Sequence, residues 1–308
     1  MSVKTSQPFT KKQVRDSFNK AASTYDGFAV LQKEVCERLL ERLDYIKIQP
    51  QRVLDLGAGT GQGTRSLAQR YPQADIIALD LADKMLLKNK TNFLSQQNIS
   101  LKQKARQFFK AKQACQYVCA DAEFLPFADA SIDIIFSSLT IQWCTDLAAL
   151  FYEIRRVLKP GGLLMFTSLG RQTLYELRAS WAAVSDKVHV NQFMDMHAVG
   201  DVMSQVRLEN PVMDNDTIVL NYQSVKQLLL ELKAVGAHNQ NQGRETALTG
   251  KKRLQAMYDA YEQYRNEQGL PLTYEVLYGH AWNPQTPMQL SQSDGTSISL
   301  AQLKSTLR

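Results

Sequence analysis

Three glycines at alternate positions, Gly57, Gly59 and Gly61, close the segment Val53-Leu54-Asp55-Leu56-Gly57-Ala58-Gly59-Thr60-Gly61. Without Cβ atoms there, the chain turns sharply and a ligand can lie against its backbone. The apolar run Val53 to Leu56 reads as a buried strand, and Thr64, Leu67 and Ala68 share one face of the helix that follows. The spacing is G-x-G-x-G, and Gln62 stands where the dinucleotide fingerprint G-x-G-x-x-G has its third glycine. A pyrophosphate wants several free amides at a helix N-terminus. A nucleoside with a short amino-acid tail wants a close-packed turn beside an acid. Asp55 lies inside the motif, and Asp80, ending the apolar run Ile76-Ile77-Ala78-Leu79, is placed to accept from ribose hydroxyls. A glycine-rich turn that binds nothing is the bland alternative for the glycines alone.

Further pieces follow in order along the chain. Leu81 and Met85 come directly after Asp80, and Asp121-Ala122 follows a strand at Tyr117-Val118-Cys119. Asp133 to Ser138 reads as a fourth strand running out to the same edge, with Leu139 next. Leu158-Lys159-Pro160-Gly161-Gly162 reads as the turn before a fifth strand, Leu163 to Phe166. Taken together, these motifs resemble the S-adenosyl-L-methionine site of class I methyltransferases. The resemblance implies a cofactor site of Asp55, Gly57, Ala58, Gly59, Gly61, Asp80, Leu81, Met85, Asp121, Ala122, Ser138 and Leu139. In it Asp80 meets the ribose and Asp121 the adenine amino group, S-adenosyl-L-homocysteine is the product, and no metal is needed.

The elements that position these residues read as an α/β fold, a Rossmann-like seven-stranded sheet. Strands alternate with helices from Val53 to Leu169, the pattern of a doubly wound parallel sheet, whose ligands sit at the strands' carboxyl ends. Ahead of it, Val14, Phe18, Ala21 and Tyr25 fall at helical steps over 10–24, with Gly27 as a break. A second helix carries Phe28, Leu31, Val35, Leu39 and Leu43 on one face. The two read as a lid, or more simply as packing on the sheet. Beyond Leu169 a helix spans 170–184, with Leu174, Leu177 and Trp181 in its stripe and Arg171 and Arg178 at the edge. Strands at 217–222 and 273–280 would be the sixth and seventh, with helices at 224–235 and 251–266 between them. The organisation is then 1–49 lid helices, 50–169 cofactor-binding core, 170–216 helical substrate lid, 217–284 completion of the sheet and 285–308 polar tail.

Composition bounds the class. With 308 residues, 44% hydrophobic and 21% charged, the chain is that of a globular protein with ample core. No run approaches the ~18–20 apolar residues that cross a bilayer. Met1 to Lys12 is polar, without the apolar core of an export signal, so the cytoplasm is the default. Cys36, Cys115, Cys119 and Cys144 form no metal-ligand pattern and read as free buried thiols. From Lys84 to Cys115 there are eight Lys or Arg and no Asp or Glu, within a net charge of +6. Such a block marks either an anionic partner or a solvated insertion. No nucleic-acid motif accompanies it.

The carboxyl half narrows the resemblance. Ser168-Leu169-Gly170, Thr173 to Leu177, His189 to Phe193, Leu232 to Ala237, Gly243-Arg244 and Pro271 to Glu275 occur in order, after Phe18-x-x-Ala21-Ala22-x-x-Tyr25-Asp26 and Leu31-Gln32. These resemble the malonyl-acyl-carrier-protein O-methyltransferases of biotin synthesis, over about residues 10 to 284. A mitochondrial complex I assembly factor that hydroxylates an arginine shares part of the pattern, and a methyltransferase of small free acids is the other alternative. The resemblance implies methyl transfer to the free carboxylate of a malonyl thioester on an acyl carrier protein, an acidic partner.

Such a carboxylate is already ionised at neutral pH, so the step requires no strong base. It requires a dry site and near-attack alignment, the latter contributing on the order of 7–11 kcal/mol. Tyr25, Phe28 and Trp143 are expected to form an aromatic wall at the sulfonium. Arg178 is expected to hold the substrate carboxylate, with Arg171 and Arg244 as alternatives. A surface arginine paired with a nearby acid is the plainer reading of each.

Overall fold

The computed structural model describes residues 9–99, 115–237, 239 and 250–285. The expectations on Arg244, on Lys102 to Lys112 and on the tail beyond Gln285 lie outside the described residues.

Seven strands make one sheet: β1 Arg52–Leu56, β2 Asp75–Asp80, β3 Cys115–Cys119, β4 Ile132–Ser137, β5 Leu158–Leu169, β6 Glu209–Tyr222 and β7 Leu270–Trp282. Their order is β3-β2-β1-β4-β5-β7-β6. The first five are mutually parallel, while β7 is antiparallel to both β5 and β6. Successive side chains of a strand point to opposite faces. Accordingly Val53, Ile76 and Ile134 enter one core, and their neighbours Leu54, Ile77 and Ile135 enter the other. The first core is covered by α3 (Val30–Arg42) and α4 (Gln62–Arg70), and further along by α7 (Tyr175–Ala182), α9 (Val225–Ala234) and α10 (Lys251–Glu262). The second is covered by α6 (Leu147–Val157) and α8 (Met196–Gln205). Burial on both faces is why the central strands read as continuous apolar runs. Each fully buried Leu or Ile contributes about 1.5–3 kcal/mol to that burial.

Some helix starts are fixed by side-chain caps. Thr10 caps α1 (Lys11–Ala21) in a reciprocal capping box with Gln13, Asp146 caps α6 and Ser224 caps α9. A four-residue helix, α2 (Tyr25–Phe28), stands between α1 and α3, and α5 (Asp83–Ile99) follows β2.

Several boundaries differ from the sequence reading. The first helix ends at Ala21 and Gly27 lies inside α2, so the break falls three residues earlier, where Thr24 Oγ1 donates to the Ala21 carbonyl. Residues 158–162 belong to β5: Leu158 pairs with Ile132, and Gly161 N donates to the Asn283 carbonyl, so the expected turn is an irregularity within the strand. The 170–184 helix is confined to α7, because Gly170 N and Leu174 N donate across to the carbonyls of Glu275 and Thr273. β6 starts at Glu209, eight residues ahead of the expected strand. Its first half is largely exposed, which hides it from an apolar-pattern reading. Cys36 and Cys144 are buried, whereas Cys115 is intermediate and Cys119 exposed.

Candidate active site

From β1 the chain crosses to β2 on one side and the sheet continues through β4 on the other, and the carboxyl ends of these strands open on a crevice at that reversal. Gly57 (φ +76°) passes Thr140 so closely that a Cβ there would clash with the threonine side chain. Gly61 (φ +94°) starts α4, and a Cβ there would strike the Asn89 carboxamide. Gly59 is different: a Cβ on it meets no atom within 4 Å, so its open side faces the crevice. Two of the three glycines serve packing, and one keeps space.

Asp80 is tied into the same turn. Its Oδ2 accepts the Gly59 amide at 2.8 Å and its Oδ1 accepts the Ala82 amide at 2.8 Å. Burial raises its pKa, and these two amides work against the rise. Asp55 is more deeply buried, at 3% exposed, and accepts from Thr64 Oγ1 at 2.6 Å. Burial pushes its carboxyl up to about 7, the Thr64 hydroxyl opposing and the charge of Asp80 adding.

Three cavities meet at this edge. The first is lined by Gly57, Gly59, Asp80, Leu81, Met85, Asp121, Ala122, Ser138, Leu139 and Trp143. The second is a largely apolar chamber whose walls include Phe18, Phe28, Leu139, Trp143, Leu169 and Tyr274. The third, the most open of them, runs past Asp55, Ala58, Gly59 and Gly63. Tyr25 lines all three. Burial, reinforced by the charge of Asp80, raises its phenol well above the usual range, so it stays a neutral donor. Trp143 stands between the first two cavities, edge-on to Phe18 at 5.3 Å. Leu139 adopts φ +52°, a left-handed conformation costing about 1–2 kcal/mol. It is held there by its amide on Thr167 Oγ1 at 2.9 Å and its carbonyl on Gln142 Nε2 at 2.7 Å.

Helix α1 lies across the mouth. Lys11 Nζ reaches Asp121 Oδ1 and Glu123 Oε1, each at 2.7 Å. Burial works against that ammonium, and neighbouring Cys144 and the two carboxylates more than offset it. Glu123 in turn accepts the amides of Thr145 and Asp146, anchoring the start of α6. Farther along α1, Ser17 Oγ donates to the Gly236 carbonyl at 3.0 Å, and Asn19 Nδ2 donates to Asp83 at 2.7 Å.

The site residues expected from sequence thus gather at one edge, with two exceptions. Gly61 faces Asn89 and lines none of the three cavities. Arg178 spends its guanidinium on the backbone, donating to the Thr173 carbonyl at 2.6 Å and the Arg171 carbonyl at 3.2 Å, and Arg171 lies 3.6 Å from Asp195. Neither arginine lines any of the three cavities. Sequence reasoning passed over Lys11, Thr140, Gln142 and Glu231. The Thr10-x-x-Gln13 capping pattern was a usable signal for Lys11, since it fixes where α1 begins.

Residues 54–166 match the family model of a methyltransferase domain. A malonyl-[acyl-carrier protein] O-methyltransferase of Gallionella capsiferriformans is 47% identical over 274 residues, 89% of this chain and 91% of that one. One from Laribacter hongkongensis is 46% identical over 288 residues, 94% of each chain. This chain belongs to the malonyl-[acyl-carrier protein] O-methyltransferase family. Among solved structures, the YcgJ protein of Bacillus subtilis matches with a TM-score of 0.55 at 15% identity, covering 82% of this chain and 99% of that one. Phosphoethanolamine N-methyltransferase 2 of Haemonchus contortus matches with a TM-score of 0.53 at 19% identity, over 88% of this chain and 60% of that one. These likenesses show the class I methyltransferase fold. Among the described residues no helix is long and apolar enough to cross a membrane.

Proposed function

We propose that this chain esterifies the free carboxylate of a malonyl thioester on an acyl carrier protein, with S-adenosyl-L-methionine as methyl donor, an early step of biotin synthesis. The observation that carries the reading is the junction at Tyr25, where a largely apolar chamber adjoins the cavity of the glycine turn and Asp80. The family membership supports carboxyl methylation over arginine hydroxylation or assembly-factor work.

The residues present fit the donor. The open side of Gly59 leaves room at the turn, and each oxygen of Asp80, having accepted one amide, keeps a lone pair for a ribose hydroxyl. Asp121 lines the same cavity, and with its Oδ1 taken by Lys11 and the Glu123 amide, its other oxygen would accept from an adenine amino group. When bound, the donor supplies an electrophilic methyl group on a sulfonium. Tyr25 and Trp143 present aromatic surface to that cation. The chamber excludes water from a carboxylate that arrives already ionised, so alignment and desolvation, rather than a base, carry the rate.

The carrier that the family resemblance implies is an acidic protein, and Lys12 and Lys20 of α1 and Lys84 of α5 are exposed near residues that line the crevice, interspersed with the exposed Asp16 and Asp83. A cytoplasmic location accords with a substrate presented on an acyl carrier. The test is to incubate purified protein with methyl-labelled donor and, separately, malonyl carrier protein, malonyl-CoA and free malonate. Base-labile label should appear on the thioesters, fastest on the carrier. Label on none of them, or on free malonate alone, would sink the proposal.

A further inference from the structure

Besides the Tyr274 phenol and Gln142, whose Nε2 is taken by the Leu139 carbonyl, the chamber offers polar side chains at two places. Tyr25 and Gln32 stand on the wall that it shares with the cavity past Asp55. Glu231, on α9, stands in the chamber and lines neither of the other two cavities. It is not a loose surface acid. The buried Tyr222 donates its hydroxyl to Glu231 Oε1 at 2.7 Å, and the charge of Glu231 acts on the buried phenol of Tyr274 in the same wall. Among the described residues the lining includes no Lys or Arg.

A malonyl thioester has a carboxylate at one end and a thioester arm at the other, and so can enter a chamber two ways round. With its carboxylate against Glu231, two negative charges come together within a largely apolar lining, a repulsion that bulk water would screen more fully. With the carboxylate at Tyr25 and Gln32, it meets uncharged donors on the wall shared with the cavity past Asp55, and Tyr25 also lines the cavity assigned to the methyl donor.

We propose that Glu231 is a specificity-determining residue that orients the malonyl thioester by charge exclusion, its carboxylate being received by the Tyr25 hydroxyl and the Gln32 amide instead of an arginine. This rests on the methyltransferase reading above. Uncharged donors also suit the reaction. An arginine would bind the ionised substrate more tightly than a transition state in which that charge is being lost, and only the difference counts towards rate.

Glu231→Gln keeps the volume and an acceptor for Tyr222 while removing the charge. Reversed, non-productive binding then becomes allowed, so kcat and KM for malonyl carrier protein should fall together by about three- to tenfold, leaving kcat/KM near wild type. Glu231→Ala should give the same paired fall, and Glu231→Lys a deeper one. The Kd for S-adenosyl-L-homocysteine should stay unchanged in all three. A raised KM, or unchanged kcat and KM, would overturn the proposal. So would an Arg178→Ala or Arg244→Ala variant whose KM for malonyl carrier protein rises more than about tenfold with product affinity intact. Wild-type protein that fails to methylate malonyl carrier protein would sink the methyltransferase reading itself, whereas an active wild type with unaltered variants would sink charge exclusion alone.

Discussion

Asp80 Oδ2 accepts the amide of Gly59 at 2.8 Å, so the carboxylate ending β2 and the turn after β1 form one rigid unit. A ligand hydroxyl meeting Asp80 meets an acceptor whose orientation is already fixed. Asp80→Ala should weaken S-adenosyl-L-homocysteine by roughly 1.5–3 kcal/mol, the loss of a charged acceptor, measured by calorimetry at a single site. Unchanged affinity would remove Asp80 from the site.

The two neighbouring glycines should respond oppositely to a methyl group. Gly61→Ala meets Asn89 at φ +94° and should lower the melting temperature sharply. Gly59→Ala meets nothing within 4 Å, so the fold should tolerate it at the cost of about 1 kcal/mol of left-handed strain while the ligand loses its approach. Equal effects of the two on binding and on melting would refute that division.

Tyr25, common to all three cavities, should matter more for turnover than for stability. Tyr25→Ala is expected to lower kcat roughly 100-fold with a shift of only a few degrees in Tm. If Tm and kcat collapse together, the residue is core.

Asp55 gives the protein a pH dependence with a definite sign. Its folded pKa, about 7, lies above the unfolded value of 3.8, so the stabilisation is complete below that value and is lost as pH rises through about 7. Melting temperature should decline from pH 5 to pH 8, with a slope of at most about 1.4 kcal/mol per pH unit from this group. The raised pKa of Asp80 contributes in the same direction. Asp55→Asn should flatten the decline, and an unchanged profile would assign it to other groups.

Carrier docking at Lys12, Lys20 and Lys84 is testable through ionic strength. The combined Lys12→Ala, Lys20→Ala and Lys84→Ala variant should raise KM for malonyl carrier protein about three- to tenfold and remove most of its salt dependence. Malonyl-CoA turnover and S-adenosyl-L-homocysteine affinity should be nearly unaffected. Wild-type behaviour of the triple variant would place the carrier elsewhere.

Legibility in the sequence followed burial. β1, β2 and β4 are buried on both faces, and their apolar runs gave the strands and the acids at their ends directly. β6 is an edge strand whose first half bears Glu209, Asn210, Asp214 and Asn215 around the lone apolar pair Val212-Met213, so it carried no alternating apolar signal until Ile218. Lys11 and Glu231 act through partners 110 and 9 residues away; the capping pattern around Lys11 marks only where its helix begins, and no local spacing marks Glu231. Arg178 failed as a cavity residue for a related reason: helical periodicity placed its Cα correctly, but the backbone carbonyls of Thr173 and Arg171 took its guanidinium.

The position of β7 bears on how the protein is made. Among the described residues it is the last strand in sequence, yet it lies inside the sheet, between β5 and β6. Until Leu270–Trp282 leaves the ribosome, β5 presents an unsatisfied edge, and β6 has no partner strand of its own. The amino-terminal half can assemble its five parallel strands during synthesis, but the wall that carries Tyr274 closes only afterwards. A nascent chain stalled before that strand emerges therefore exposes a sticky apolar edge, and its rescue falls to chaperones.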